Sequence, residues 1–374
     1  MSAAELPRRR LRSAVVGLGF IGPFHVDAVQ RGGYAEVAVL VGRDEARTAN
    51  AASSLGVERA TTNLDGVLSD ASIDVVHICT PNSTHVELAN AVLDAGKNLV
   101  LEKPIATELG AARALAARAD RLGRHAAVAL TYRGYPMVRQ ARARIAGGAL
   151  GDLRLVHGSY LQDWLASETA SNWRVDRAVG GPSRAVGDIG SHWLDLAEYL
   201  SGQRIDAVVA ELPTFITARN GIPIETEDAA TILVRFANGA RGSCVVSQIS
   251  RGHKNSILIE LVGSDRSLRW DHEDAERLWL AGADGVSILE RVESPADSFD
   301  SVGVPSPPAG HPDGWPAALR DLLRPFYAAI AAGDPPLPAG APGPYPTLTD
   351  GARSIALVEA ALTSAREGRW VAVP

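Results

Sequence analysis

Apolar positions in the first third of the chain fall into short unbroken runs separated by amphipathic stretches. The runs Arg12–Gly17, Glu36–Val41, Val75–Cys79, Asn98–Leu101 and Ala126–Leu130 are apolar nearly throughout rather than alternating, as expected of parallel strands covered on both faces. Between them, Asp44–Leu55, His85–Ala95 and Thr107–Leu122 contain little glycine and no proline and predict helices. This alternation predicts a doubly wound α/β domain of the Rossmann type over residues 1–131.

After Tyr132 the pattern changes. A helix is expected over Pro136–Ile145, a strand over Leu153–Leu161 and another helix over Gly190–Leu200. Longer strand patterns then follow one another at Asp206–Thr217, Ala229–Phe236, Arg241–Ser250, Ser256–Gly263 and Ser267–Trp270, with an Asn238-Gly239 hairpin turn between two of them. Strands joined by turns imply a large, mostly antiparallel sheet, hence an α+β second domain over residues 132–374. Pro295–Pro316 reads as a loop, and helices at Ala317–Ala332 and Thr349–Glu367 close the chain.

Composition narrows the function. With 46% hydrophobic and 21% charged residues the chain is globular, and its net charge of −6 disfavours a nucleic-acid partner. The basic run Arg8-Arg9-Arg10 has no apolar segment after it and reads as a solvated tail. No uninterrupted apolar stretch is long enough to span a bilayer. Cys79 and Cys244 match no disulfide or metal framework, which points to the cytoplasm, with Cys79 a small core residue.

Gly17-Leu18-Gly19-Phe20-Ile21-Gly22 stands between the first strand and the first helix. Glycines there allow a tight turn and close backbone approach, and the helix N-terminus favours a pyrophosphate. At the end of the second strand an acid would bond the adenosine ribose; Gly42 stands there, with Arg43 after it. A missing carboxylate beside a guanidinium suits a 2′-phosphate, so NADP(H) is favoured over NAD(H). The plain alternative is that Arg43 faces water and Asp44 caps the next helix.

Glu102-Lys103-Pro104 follows the fifth strand, at the carboxyl edge where open α/β sheets bind ligands. A lysine there can bond a substrate oxygen and assist proton transfer, although an exposed loop lysine would look the same. Asp188 and His192, four residues apart, share a helix face and suit proton transfer from an alcohol. Asp188 could instead be an N-cap; a metal site is disfavoured because no third ligand of recognisable spacing is near.

These motifs, with Gly22-Pro23-Phe24-His25, Cys79-Thr80-Pro81-Asn82 and His85, and the Gly180-Gly181 to Asp195 segment, resemble the glucose–fructose oxidoreductase and inositol dehydrogenase (Gfo/Idh/MocA) family over nearly the whole chain. The resemblance implies that Lys103, Asp188 and His192 are the catalytic group. It also implies that Gly17, Gly19, Phe20, Ile21, Thr80, Pro81, Asn82, His85 and Glu102 line the cofactor. Gly42 departs from the acid that members often carry, so an NAD preference does not transfer. Tyr160–Trp164, Asn172-Trp173-Arg174 and Gly310–Trp315 resemble the branch that includes levoglucosan and other sugar dehydrogenases. That likeness places Tyr132, Gln162 and Trp164 against the substrate, whereas without it Trp164 and Trp173 read equally as core.

The expected function is hydride transfer between NAD(P) and a secondary ring hydroxyl or ketone of a neutral sugar, anhydrosugar, glycoside or cyclitol. Arg174 joins the substrate side, and no cluster of arginines converges there to take a phosphorylated substrate. Two alternatives are a non-catalytic dinucleotide-binding redox sensor and a ping-pong oxidoreductase with tightly held cofactor. In Ala229–Phe236, Ala230, Ile232 and Val234 alternate as apolar positions while Leu233 faces the other way. The family commonly buries such a face between subunits, which implies a homodimer or homotetramer through the C-terminal sheet.

Overall fold

A computed structural model describes residues 9–292, 308–312 and 314–374. It divides into two compact units, one built from the described residues up to Gly134 and from Pro308 to Ala352, the other from Tyr135–Val292 and Arg353–Pro374. The first crossing lies within three residues of the 131/132 boundary expected from sequence, but the return of a late segment to the first unit has no counterpart in that reading.

The first unit runs β1 (Leu11–Val16), α1 (Gly22–Gly32), β2 (Ala35–Val41), α2 (Glu45–Leu55), β3 (Arg59–Thr61), α3 (Leu64–Leu68), β4 (Val75–Ile78), α4 (His85–Asp94), β5 (Asn98–Leu101), α5 (Leu109–Leu122) and β6 (Ala126–Val128). Its six described strands are all parallel, in the order β3-β2-β1-β4-β5-β6. The winding reverses between β1 and β4, so the crevice at their carboxyl ends is the place for a ligand. Val15, Leu40, Val75 and Val100 are fully buried in this sheet, as the unbroken apolar runs require.

Against α1 packs the helix Gly314–Ala332, whose Leu319, Leu322, Leu323 and Phe326 join Val26 and Val29 in one core. Each such buried side chain contributes about 1.5–3 kcal/mol, which fixes this helix to the first unit despite its distance in sequence. The loop expected over Pro295–Pro316 lies largely outside the described residues; its last part, Gly314–Pro316, begins the helix instead, with proline in the tolerated first turn. Arg8 also lies outside the described residues, and Arg9 of the same basic run pairs with Asp74 at 2.8 Å.

The second unit contains α6 (Pro136–Ala146), β7 (Leu153–Leu161), a helical turn α7 (Arg177–Gly180), a π turn Val186–Gly190 running into α8 (Ser191–Ser201), β8 (Ile205–Glu211), a small β9–β10 hairpin (Ala218–Arg219, Ile222–Pro223), β11 (Ala229–Phe236), β12 (Arg241–Ser247), β13 (Ser256–Gly263), β14 (Arg266–Asp271), β15 (Arg277–Gly282), β16 (Gly285–Glu290) and β17 (Val371–Ala372). Nine of these strands form one sheet in the order β16-β15-β14-β13-β7-β12-β11-β8-β17. Every pairing is antiparallel except β7 with β12. Asn238-Gly239 makes the expected turn, with Gly239 at φ +91. The strand expected over Asp206–Thr217 stops at Glu211, because Pro213 has no N–H for a ladder.

Parity sorts the sheet's faces. Ala230, Ile232 and Val234 of β11, Cys244 and Val246 of β12 and Val156 of β7 are buried, while Leu155, Leu233 and Val245 are exposed on the other face.

Candidate active site

In the first unit the glycine loop is built as a cradle. Gly17 has φ +98, and a Cβ there would meet the Cys79 carbonyl oxygen at 2.6 Å; one on Gly22 would meet the Gly17 oxygen at 2.2 Å. Gly19 is different: a Cβ would meet nothing within 4 Å. The first and third glycines are therefore demanded by the turn, and the second leaves space in front of the backbone where α1 begins. That combination fits a dinucleotide pyrophosphate. Ile21 precedes α1 half-buried, and the exposed Phe20 ring lies 5.3 Å from Phe24, which meets Trp315 edge-on at 5.2 Å. Trp315 belongs to the Gly310–Trp315 motif, of which Asp313 lies outside the described residues.

At the end of β2, a Cβ on Gly42 would strike Thr48 Oγ1 at 2.1 Å. The Thr48 hydroxyl donates to the Asp44 carbonyl, so any side chain at position 42 would make the Thr48 side chain shift and disturb that bond. Asp44 caps α2 by accepting the Arg47 N–H at 2.8 Å. Arg43 stands exposed, with no ion pair to any described residue.

Two loops follow β4 and β5 at the same edge. Thr80, Pro81 and Asn82 lead into a 3₁₀ turn, with Thr84 Oγ1 donating to Thr80 Oγ1 at 2.7 Å. Buried His85 holds the two loops together, Nε2 lying 2.8 Å from the Thr80 carbonyl and Nδ1 2.7 Å from that of Pro104. Burial pulls its pKa down, against the two carbonyls and Glu102, which favour the charged ring. Glu102 is buried at the end of β5; Oε1 accepts from His25 Nε2 at 3.0 Å and Oε2 from the Lys103 N–H at 3.0 Å. Burial alone would push its carboxyl up, but the His25 bond and the nearby Lys103 and His85 outweigh it and hold the pKa below the ordinary range. Lys103 is half-buried, and Tyr132 is buried in the turn Thr131–Gly134.

In the second unit Asp188 lies inside the π turn rather than at the start of a simple helix. It is not an N-cap: its Oδ1 accepts Arg174 Nε at 3.2 Å and its Oδ2 accepts Gln248 Nε2 at 2.8 Å. Arg174, expected to face the substrate, is thus the partner of Asp188, and its guanidinium lies 4.4 Å from the Trp173 ring centroid. The turn is held from beneath by buried Glu227, whose Oε1 accepts from Ser183 Oγ and from the N–H groups of Arg184 and Val186. Buried His192 opens α8 with its ring 6.4 Å from that of Tyr160. Tyr160 Oη and Gln162 Nε2 both donate to Asn255 Oδ1 at 2.7 Å, and Trp164 Nε1 donates to Gln162 Oε1 at 2.8 Å. Trp164 is 36% exposed, so core packing does not account for it.

Sequence reasoning missed Gln248 and Asn255. Gln248 continues the inward parity of Cys244 and Val246, which was a usable signal; nothing marked Asn255. Among the described residues, no group of three or more His, Cys, Asp or Glu is arranged to hold a metal, and no helix is long and apolar enough to cross a membrane.

Comparison with known proteins places this arrangement. Residues 11–130 match the oxidoreductase family with an NAD-binding Rossmann fold, and residues 138–269 match the GFO/IDH/MocA C-terminal domain. The chain is 32% identical to a levoglucosan dehydrogenase of Pseudarthrobacter phenanthrenivorans over 349 residues, covering 87% of this chain and 86% of that one. A solved levoglucosan dehydrogenase in complex with NADH and levoglucosan superposes with TM-score 0.90 at 30% identity, over 98% of this chain and all of the other. An inositol dehydrogenase homologue from Azotobacter vinelandii in complex with NAD+ gives TM-score 0.88 at 29% identity over the full length of both chains.

Proposed function

Because the chain belongs to the Gfo/Idh/MocA family of NAD-binding oxidoreductases, we propose that it transfers a hydride between NAD(P) and a secondary ring hydroxyl or ketone of a neutral sugar, anhydrosugar, glycoside or cyclitol. Lys103, Asp188 and His192 are its catalytic group. The observation that carries the reading is Glu102-Lys103 at the carboxyl end of β5, in the unit that also holds the glycine cradle.

When bound, the dinucleotide supplies the hydride acceptor at nicotinamide C4. Gly17, Gly19, Phe20 and Ile21 hold its phosphates, and Thr80, Pro81, Asn82, His85, Glu102 and Lys103 line its inner part. In the oxidative direction His192 takes the hydroxyl proton, while Lys103 polarises the same oxygen and Asp188 orients it. Asp188 is well suited to that work, since two donors fix its carboxylate. Gly42 and Arg43 favour NADP(H): Thr48 occupies the space a ribose-binding acid would need, and the exposed guanidinium is available to a 2′-phosphate.

On the substrate side, Tyr132, Gln162 and Trp164 offer aromatic faces and an amide to a neutral ring. Arg174 is neutralised against Asp188, which leaves little to attract a phosphorylated substrate. Leu155, Leu233 and Val245 on the outer sheet face support a homodimer or homotetramer through that sheet. The two buried free thiols suit a reducing cytoplasm.

A panel of levoglucosan, other neutral sugars, glycosides and inositols, assayed with NADP+ and NAD+ at the reduced-nicotinamide absorbance band, tests this. Turnover of a neutral ring alcohol is expected. Turnover confined to amino acids, aldehydes or sugar phosphates would contradict the substrate reading.

A further inference from the structure

The core of the Rossmann unit contains polar groups that the proposed reaction does not use: His25 on α1, His77 within β4, Ser13 within β1 and Tyr327 on the Gly314–Ala332 helix. Both imidazoles and Ser13 are 0% exposed. The four form a line that ends at Glu102. Ser13 Oγ lies 2.8 Å from Tyr327 Oη, which lies 2.5 Å from His77 Nε2. His77 Nδ1 is 2.9 Å from His25 Nδ1, and His25 Nε2 is 3.0 Å from Glu102 Oε1.

Counting donors fixes the direction. An ionised carboxylate only accepts, so His25 Nε2 carries a proton for Glu102. If His25 were also protonated at Nδ1, it would donate to His77, His77 to Tyr327 and Tyr327 to Ser13. The Ser13 hydroxyl has no other partner among the described residues, so its own proton would be buried and unused. In the opposite sense Ser13 donates to Tyr327, Tyr327 to His77, His77 to His25 and His25 to Glu102, and every proton in the line finds an acceptor. This second arrangement also avoids a charged imidazole in the core.

We propose that Ser13, Tyr327, His77 and His25 form an oriented hydrogen-bond chain that terminates on Glu102 and makes His25 and His77 positioning residues for Lys103. The chain delivers a donor to Glu102 Oε1 from below, which keeps the carboxylate ionised and leaves Oε2 to accept the Lys103 N–H at 3.0 Å. The backbone from which the Lys103 side chain projects is thereby tied to the middle of the core. The titratable groups facing the chain are Lys103 and His85 at Glu102, Cys79 beside Glu102 and Tyr327, and Asp74 near Tyr327. Burial keeps His77 neutral, in accord with its single proton here. The role assigned to Lys103 rests on the function proposed above; the direction of the chain does not.

Ring ¹⁵N NMR of the full chain labelled in histidine tests the direction without any turnover. Single tautomers are expected at neutral pH, with the proton of His77 on Nδ1 and that of His25 on Nε2, as the donor count requires. A proton of His77 on Nε2, or two protons on His25 at neutral pH, would overturn the chain. Tyr327→Phe removes one link while keeping the ring. It is expected to mix the His77 tautomers, lower kcat about threefold to tenfold and displace the pH–kcat profile, with dinucleotide affinity held within about twofold. His77→Gln, a second variant, carries the same kinetic expectations. The kinetics use levoglucosan, or the panel sugar turned over fastest. Unchanged kcat and pH profile in a folded variant would overturn the positioning role. Parent tautomers as expected, together with full activity in Lys103→Ala, would instead leave the chain standing and remove Lys103 from catalysis.

Discussion

Single residues carried most of the legible chemistry here, and most of the ambiguity. Gly17, Gly19 and Gly22 were readable as a cradle from their spacing between a strand and a helix; the structure supplies a steric reason for Gly17 and Gly22, whereas a Cβ on Gly19 would meet nothing within 4 Å. Asp188 was found by its spacing to His192, but its partners were not: Arg174 is fourteen residues away and Gln248 sixty, and no local pattern joins them. His77 gave a signal that was not used, an imidazole inside the apolar run of β4, where an unpartnered polar group would be costly. In the cofactor preference proposed above, Arg43 is the residue that would set the choice. Arg43→Ala should weaken NADP(H) by about 1–3 kcal/mol and leave NAD(H) nearly untouched, since the lost bond is to the 2′-phosphate alone. Calorimetry with both cofactors checks this; equal weakening of the two would place Arg43 in solvent with no role.

At the scale of elements, period and turn chemistry gave β5, β7, β11 and β13 at their observed limits, because buried parallel strands and half-buried alternating ones leave strong patterns. The short β3 and β17 and the weakly alternating β15 and β16 were missed for want of such a pattern. The π turn before α8 was also missed. It depends on Glu227, which is remote in sequence and gathers three donors at one end of the turn. Glu227→Ala should therefore destabilise the protein by about 1–3 kcal/mol. Burial raises the Glu227 pKa against those bonds. A carboxyl with a folded pKa above its unfolded value binds protons more tightly when folded. Its contribution to stability is complete below about pH 4.3 and is lost as pH rises through the raised value. Glu227→Gln keeps an acceptor and removes the ionisation, so it should flatten that decline. Denaturant unfolding across pH checks both variants, and a Glu227→Ala protein as stable as the parent would deny the anchoring role.

For the molecule as a whole, sequence alternation was enough to expect a Rossmann unit and a second unit with a large, mostly antiparallel sheet. The return of Gly314–Ala332 to the first unit was not foreseeable, because an amphipathic helix does not state which core it joins. The proposed site was legible to a similar depth: its candidate catalytic residues stood in motifs, whereas Glu227 became visible only through its contacts, and the parity of Gln248 and the imidazole of His77 inside an apolar run named no partner. In the reaction proposed here, a hydride moves between a ring carbon and nicotinamide with the help of Lys103. Incubation with NADP+ or NAD+ and ring-perdeuterated levoglucosan or myo-inositol, followed by NMR of the reduced cofactor, tests it most directly. Deuterium is expected at nicotinamide C4 from at least one of these alcohols, formed at least about a hundredfold more slowly by Lys103→Ala. Reduced cofactor without deuterium at C4, or equal transfer by Lys103→Ala, would contradict it.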